Sequence, residues 1–213
     1  MAGYPELSTL VAAIGGIPSS DPYGFHSTLN STSNSSRITL FAPINSAFAR
    51  FENSTGVMPL LTASYISPTH GNVTLLETIA ANHVLTTYAN STVLTQLLAT
   101  GNSSRHLLLD LDYGKAKVLT LAGLNVTVRG VVQTGTELPV PPLIFVENAL
   151  VLTTNAIVAA NGVVHLISNL IDPFIGATGG FFGPTEEVVK GVETTYGPII
   201  RFAIASLNLG GQS

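Results

Sequence analysis

Residues 39–48 read Thr39-Leu40-Phe41-Ala42-Pro43-Ile44-Asn45-Ser46-Ala47-Phe48, and this stretch decides the fold. From Arg37 to Ala42 the chain alternates as a short strand, and Pro43, which has no amide proton for a ladder, is expected to end it. Asn45 belongs to the residue types that accept from the first free amides of a helix, so a helical turn is expected to begin there with Asn45 as its N-cap. A strand running straight into a helix, with Phe41 on one and Phe48 on the other, buries two rings. Pro43 and Ala47 complete that expected core set.

Toward the N-terminus, Leu7, Leu10, Val11 and Ile14 recur at three-four spacing and predict an amphipathic helix over Tyr4–Ile17. Gly15-Gly16 stops it and Pro18 follows. Residues 18–36 predict a long exposed loop and residues 51–71 an irregular stretch. Downstream, helices are expected at Val73–Asn82 and Ser91–Thr100. Strands then follow at Leu107–Leu111, Ala116–Leu121 and Leu124–Arg129, with turns at Tyr113-Gly114 and Ala122-Gly123. A Pro/Gly-rich loop at Gly130–Pro142 precedes strands at Leu143–Glu147, Ala149–Thr153, Ala156–Ala159 and Val163–Ile167. Helices first and strands later predict an α+β fold with a mostly antiparallel sheet.

The last of these strands belongs to a second informative stretch, Asn161-Gly162-Val163-Val164-His165-Leu166-Ile167. Asn161-Gly162 suits a tight turn with positive φ. His165, between apolar residues, is expected as a hydrogen-bonded core histidine. His83, just past a helix end, is expected to cap carbonyls. Burial favours the neutral imidazole at both.

Composition excludes several classes. Only 9% of the 213 residues are charged, the hydrophobic fraction is 46%, and the formal net charge is −4. With no cysteine, a disulfide scaffold, a cysteine nucleophile and a Cys-ligated zinc site are excluded. Eight scattered basic residues argue against nucleic acid, which requires a clustered positive face. Residues 148–171 contain no Asp, Glu, Lys or Arg, but Asn148, Asn155, Asn161, Asn169 and His165 make them unsuitable as a membrane span. The start, Met1-Ala2-Gly3-Tyr4-Pro5-Glu6, has neither the basic nor the apolar region of a signal peptide.

The polar surface must come from amides and hydroxyls, supplied by 14 Asn, 18 Ser and 24 Thr. Seven of the asparagines head Asn-x-Ser/Thr sequons: Asn30, Asn34, Asn53, Asn72, Asn90, Asn102 and Asn125. This exceeds what chance placement gives. It predicts a secreted or cell-surface glycoprotein whose signal has been removed, with glycans doing part of the solubilising. Six sequons fall in expected loops or loop edges; Asn125 sits in a strand-like run and must point outward.

Catalytic motifs are missing: no Gly-x-Ser-x-Gly elbow, phosphate loop or His-Glu-x-x-His occurs. The five histidines, at 26, 70, 83, 106 and 165, do not form a metal motif. Asp110 and Asp112 share a strand face and are the best carboxylate pair, read as a solvated strand end. Glu186-Glu187 favour a helix N-terminus. No enzymatic activity, cofactor or metal is expected.

The two quoted stretches resemble the two signatures of the fasciclin-1 (FAS1) domain, Thr-x-Phe-Ala-Pro-Thr-Asn-x-Ala-Phe and Asn-Gly-Val-(Ile/Val)-His-x-(Ile/Val)-Asp. The residues that match are Thr39, Phe41, Ala42, Pro43, Asn45, Ala47 and Phe48, then Asn161, Gly162, Val163, Val164, His165 and Ile167. Leu119-Thr120-Leu121-Ala122-Gly123 resembles the family's Thr-Leu-x-Gly turn, and Leu170-Ile171-Asp172-Pro173 its domain end. Ile44 and Ser168 stand where the family has Thr and Asp, and the central Tyr-His motif becomes Asn82-His83. The resemblance implies one FAS1 domain over 1–173, a mostly antiparallel β-wedge or sandwich with helices packed against it. It further implies extracellular adhesion or matrix contacts with a protein or glycan. Because some secreted algal members bind carotenoids, an alternative is a carrier of an apolar small molecule, a carotenoid or lipid.

Beyond the domain, residues 174–184 read as a Gly/Phe-rich linker and 185–213 as a C-terminal helical extension. Three readings compete for that tail: docking on its own domain, self-association through residues 185–209 as a structural subunit, or the start of a second repeat.

Overall fold

A computed structural model describes residues 4–31, 37–55, 62, 64–67, 70–100, 104–106, 111–133, 143–147 and 149–171. The expected linker and C-terminal extension lie outside the described residues, as do Asn34, Asn102 and Asp110. A 3-10 turn, Pro5–Leu7, leads into helix α1, Ser8–Gly15, so the expected N-terminal helix is real but starts later. The expected loop 18–36 contains a second helix, α2, Phe25–Leu29. Its first turn is secured by Asp21, whose Oδ1 accepts from the Phe25 amide at 2.8 Å. Tyr23 and Phe25 are buried there, which is why this segment packs rather than floats.

Strand β1, Ile38–Pro43, runs into helix α3, Asn45–Thr55. Pro43 still belongs to the strand. Strands β2, Ser64–Ser67, and β3, Gly71–Thr74, form a separate hairpin where an irregular stretch was expected. Helix α4, Leu75–Asn82, begins two residues later than predicted. Thr74 and Glu77 form a capping box that fixes its start, leaving Val73 in β3. Then come β4, Val84–Leu85, and helix α5, Ser91–Thr100, the latter as predicted.

The remaining strands are β5, Ser104–His106; β6, Leu111–Leu119; β7, Asn125–Gln133; β8, Leu143–Val146; β9, Ala149–Ala159; and β10, Gly162–Ile167. Tyr113-Gly114 is not a turn. Both residues lie inside β6, opposite Val131 and Gly130 of β7. The β6–β7 hairpin turns at 120–124, which includes the expected turn at Ala122-Gly123, and Gly123 adopts φ 77°. The two strands expected at 149–159 are one strand interrupted by a bulge: Thr153 pairs with Leu166 and Ile157 with Val164, and Asn155 between them has φ 51°.

The main sheet has the order β4-β1-β10-β9-β8-β7-β6-β5. All its neighbours are antiparallel except β1 and β10, which run parallel with Phe41 opposite His165. Leu85 bridges Thr120, and the Leu121 amide donates to the Val84 carbonyl at 2.7 Å. The sheet therefore curls back toward its first strand. β1 is buried along its whole length because it is covered on both faces. Ile38, Leu40 and Ala42 face a helical layer with Leu7, Leu10, Phe25, Phe48 and Ile79. Phe41 faces the interior of the curled sheet, with Leu94 of α5, Val126, Val128, Val146 and Ile167. The fold is α+β.

Candidate functional site

The two signature stretches meet along the β1–β10 pair, and their polar residues bond to backbone. Thr39, fully buried, donates through its hydroxyl to the Thr87 carbonyl at 2.8 Å and accepts from the Ala89 amide at 2.7 Å. His165, equally buried, donates from Nε2 to the Ala89 carbonyl at 2.7 Å and accepts at Nδ1 from the Asn155 amide at 3.0 Å. Thr39 and His165 thus clamp both polar groups of Ala89, on the segment leading into α5. Phe41 and His165 stack with ring centroids 5.5 Å apart.

The bulge in β9 makes this possible. Asn155 turns its amide onto His165 and exchanges two bonds with Ser91: the Ser91 amide donates to Oδ1 at 3.0 Å, and Nδ2 donates to Ser91 Oγ at 2.7 Å. The sequence reading missed this residue. Its signal was an asparagine, one of the few types that tolerate positive φ, between the two strands expected at 149–153 and 156–159.

Asn45 does not serve as the N-cap of its own helix. Its side chain reaches the first helix instead: Oδ1 accepts from the Thr9 amide at 3.0 Å, while Nδ2 donates to the Pro5 carbonyl at 3.1 Å and Ser8 Oγ at 3.0 Å. Ala47 and Phe48 are buried in the helical layer, as is Ala42. Ile44 also packs against that layer, so the exchange of threonine for isoleucine is absorbed as apolar contact. Ser168, at the position of the family's aspartate, accepts at Oγ from the Leu150 amide at 3.0 Å.

The Asn161-Gly162 pair also differs from expectation, since neither residue has positive φ. Gly162 is required by close approach. A Cβ there would lie 2.4 Å from the Ile38 carbonyl oxygen, where β10 begins its parallel pairing with β1.

A second polar group sits at the domain's end. His83 donates from Nδ1 to the Ile79 carbonyl at 2.7 Å, capping α4, and accepts at Nε2 from the Ile171 amide at 2.9 Å. Asn82 holds the other polar group of Ile171, donating from Nδ2 to its carbonyl at 3.1 Å, and accepts from the Thr120 hydroxyl at 3.1 Å. Burial drives the His83 pKa down to about 4, against a smaller upward push from Ile79. Burial also lowers that of His165, against the bond to Ala89. Each ring is a single neutral tautomer, because a second ring proton would face a backbone N–H.

These groups hold the backbone, and Thr39, Asn82, His83 and His165 are buried. Among the described residues no set of three or more His, Asp or Glu is grouped to hold a metal ion. No described helix is long and apolar enough to cross a membrane.

The second signature also borders a concavity, which Asn161, Gly162, Val163 and Val164 line together with Leu40 of the first stretch. A cleft of about 370 Å³ opens between α1, α2 and the β1–β10–β9 face, with Val11, Ile14, Leu29, Leu40, Ile157 and Val164 among its walls. The residues of polar type in its lining are His26, Asn30 and Asn161, and none of its lining residues is Asp, Glu, Lys or Arg. Asn30, a sequon residue, is exposed at the C-terminal end of α2. Of the other sequons, Asn72 on β3 and Asn125 on β7 are exposed. Asn53 lies within α3 rather than in a loop. Asn90 is half-buried, its Oδ1 accepting from the Val93 amide at 2.9 Å at the start of α5.

A family model described as the Fasciclin domain matches residues 6–173. Among solved structures, a FAS1 domain pair from the insect cell adhesion molecule Fasciclin I is similar in fold, with a TM-score of 0.50 at 15% identity. The match covers 80% of this chain and 46% of that one, so the chain spans about half the length of the pair. No curated protein sequence matches. With both signatures joined on one parallel strand pair and the family match covering most of its length, the chain belongs to the fasciclin (FAS1) domain family.

Proposed function

We propose that this protein is a secreted or cell-surface glycoprotein that acts without catalysis, through protein or glycan contacts in extracellular adhesion or matrix. The observation that carries the reading is the sequon excess on a fasciclin-family chain, with Asn30, Asn72 and Asn125 exposed on three different elements. The similarity in fold to a domain pair of an insect cell adhesion molecule supports it by analogy. Thr39 and His165, the buried polar members of the signatures, bond to backbone, which leaves contact with partners to the outer surface. Expression in a secretory host followed by glycosidase treatment tests the premise. The expected result is a mass loss, and an unchanged mass at every sequon overturns it. Binding of the intact glycoprotein to immobilised extracellular-matrix proteins and glycans, against an unrelated glycoprotein, tests the adhesive role; equal binding by both overturns that part.

A further inference from the structure

We propose that the apolar cleft between α1 and α2 is covered by the N-glycan carried on Asn30, whose innermost sugars pack over its walls. The proposal rests on the glycoprotein reading above and adds a structural role for one glycan. Asn30 opens the sequon Asn30-Ser31-Thr32, and the residue lines the cleft while remaining exposed. Its backbone is fixed by a bond from its amide to the His26 carbonyl at 2.9 Å. A sugar on Nδ2 therefore starts at the mouth of the cleft. Bond formation is a substitution: Nδ2 attacks the anomeric carbon of a lipid-pyrophosphate-linked oligosaccharide, the lipid pyrophosphate leaves, and one amide proton is lost.

The tether matters because it makes the second contact intramolecular. An occupant that is weak when free is held at high effective concentration once joined to the rim. The chemistry also fits. With no charged side chain in the lining, an ionic ligand finds no counter-charge, whereas sugar C–H faces and the methyl of an N-acetyl group are neutral and partly apolar. The polar rim matches hydroxyls and amides: Asn161 sits there, donating from Nδ2 to the Leu29 carbonyl at 2.6 Å. Val11, on the edge, is 46% exposed and gains cover. Asn72 and Asn125 are also exposed sequon residues but do not line the cleft, so they serve as internal controls.

The test uses the full chain from a secretory host, with Asn30→Gln, Asn72→Gln and Asn125→Gln, and peptide mass mapping of every sequon. Thr32→Val removes the first sequon while keeping Asn30 and separates the glycan from the side chain. The readout is fluorescence of the uncharged apolar dye Nile red, with urea midpoints confirming that each variant is folded. Asn30→Gln and Thr32→Val are expected to raise the fluorescence severalfold, and adding Val11→Lys at the cleft edge to remove the rise; the controls stay at the wild-type level. No glycan on any asparagine overturns the glycoprotein reading itself. Glycans elsewhere with none on Asn30, or a dye response no different from the controls, overturn only this proposal. So does an apolar small molecule found in the cleft of the glycosylated protein by native mass spectrometry.

Discussion

His83 and Ile171, 88 residues apart in sequence, are joined by a 2.9 Å bond in which the ring nitrogen accepts the backbone amide proton. That direction is available only to a neutral ring. The unfolded His83 takes up a proton near pH 6.5 and the folded one near pH 4. Between those values the unfolded state binds more protons, so this contribution is intact above pH 6.5 and lost as pH falls through about 4. Its full size is about 3 kcal/mol. His165 acts in the same direction, whereas Glu147, whose carboxyl burial pushes upward, acts in the opposite one. Urea midpoints measured on either side of this window are expected to fall with acidification in the wild type and to fall less in His83→Gln. Equal slopes in both proteins would refute the assignment.

Replacing His165 by Ala strands the Ala89 carbonyl and the Asn155 amide and opens a void beside Phe41. The expected loss of stability is roughly 3 kcal/mol. Asn155→Gly keeps the positive φ but removes the paired bonds to Ser91, for a loss of about 1–2 kcal/mol. Because both side chains hold the same segment, His165 at Ala89 and Asn155 at Ser91, the double variant should lose less than the sum of the singles. Denaturant titration of the four proteins measures the coupling, and strict additivity would count against it.

The glycines separate cleanly by position. Gly162→Ala drives a methyl into the Ile38 carbonyl and should cost about 2–3 kcal/mol, through displacement of β10 from β1. Gly15→Ala, in the last turn of α1 with nothing within 4 Å of the new Cβ, should stabilise by about 0.5–1 kcal/mol. Thermal midpoints moving in opposite directions would bear this out.

Asn45→Ala removes three bonds to the start of the first helix while leaving α3 its backbone pattern. A loss of about 1–2 kcal/mol is expected, with faster hydrogen exchange at the Thr9 amide and little change in the middle of α3. Uniform acceleration through α3 instead would restore Asn45 to the role of cap for its own helix.

Much of this arrangement was legible in the chain because local rules and tertiary needs coincide. The strand into helix at 38–55, the α5 segment and the buried neutral histidines follow from alternation, helical spacing and apolar flanks. What was misread depends on partners distant in sequence. Asn161-Gly162 has the composition of a turn with positive φ, but the glycine is dictated by Ile38 across the sheet. Tyr113-Gly114 also has turn composition, yet pairing with Val131 and Gly130 holds it in a ladder. The α2 helix was hidden in a polar stretch because five residues are too few for a periodic signal. The cleft had no linear signature, since its walls come from α1, α2 and three strands.

The parallel pairing of β1 with β10 also sets a timetable. Ile38 cannot find Gly162, its register partner, until nearly the whole domain has left the ribosome. Until then β1 lacks one neighbour, and long-range closure of this kind is slow compared with helix formation. Every sequon, Asn125 included, precedes β10 in the chain. In a chain entering the secretory route, each sequon would meet the glycosylating enzyme before the sheet closes, so an asparagine half-buried in the finished fold, such as Asn90, is open to modification during synthesis.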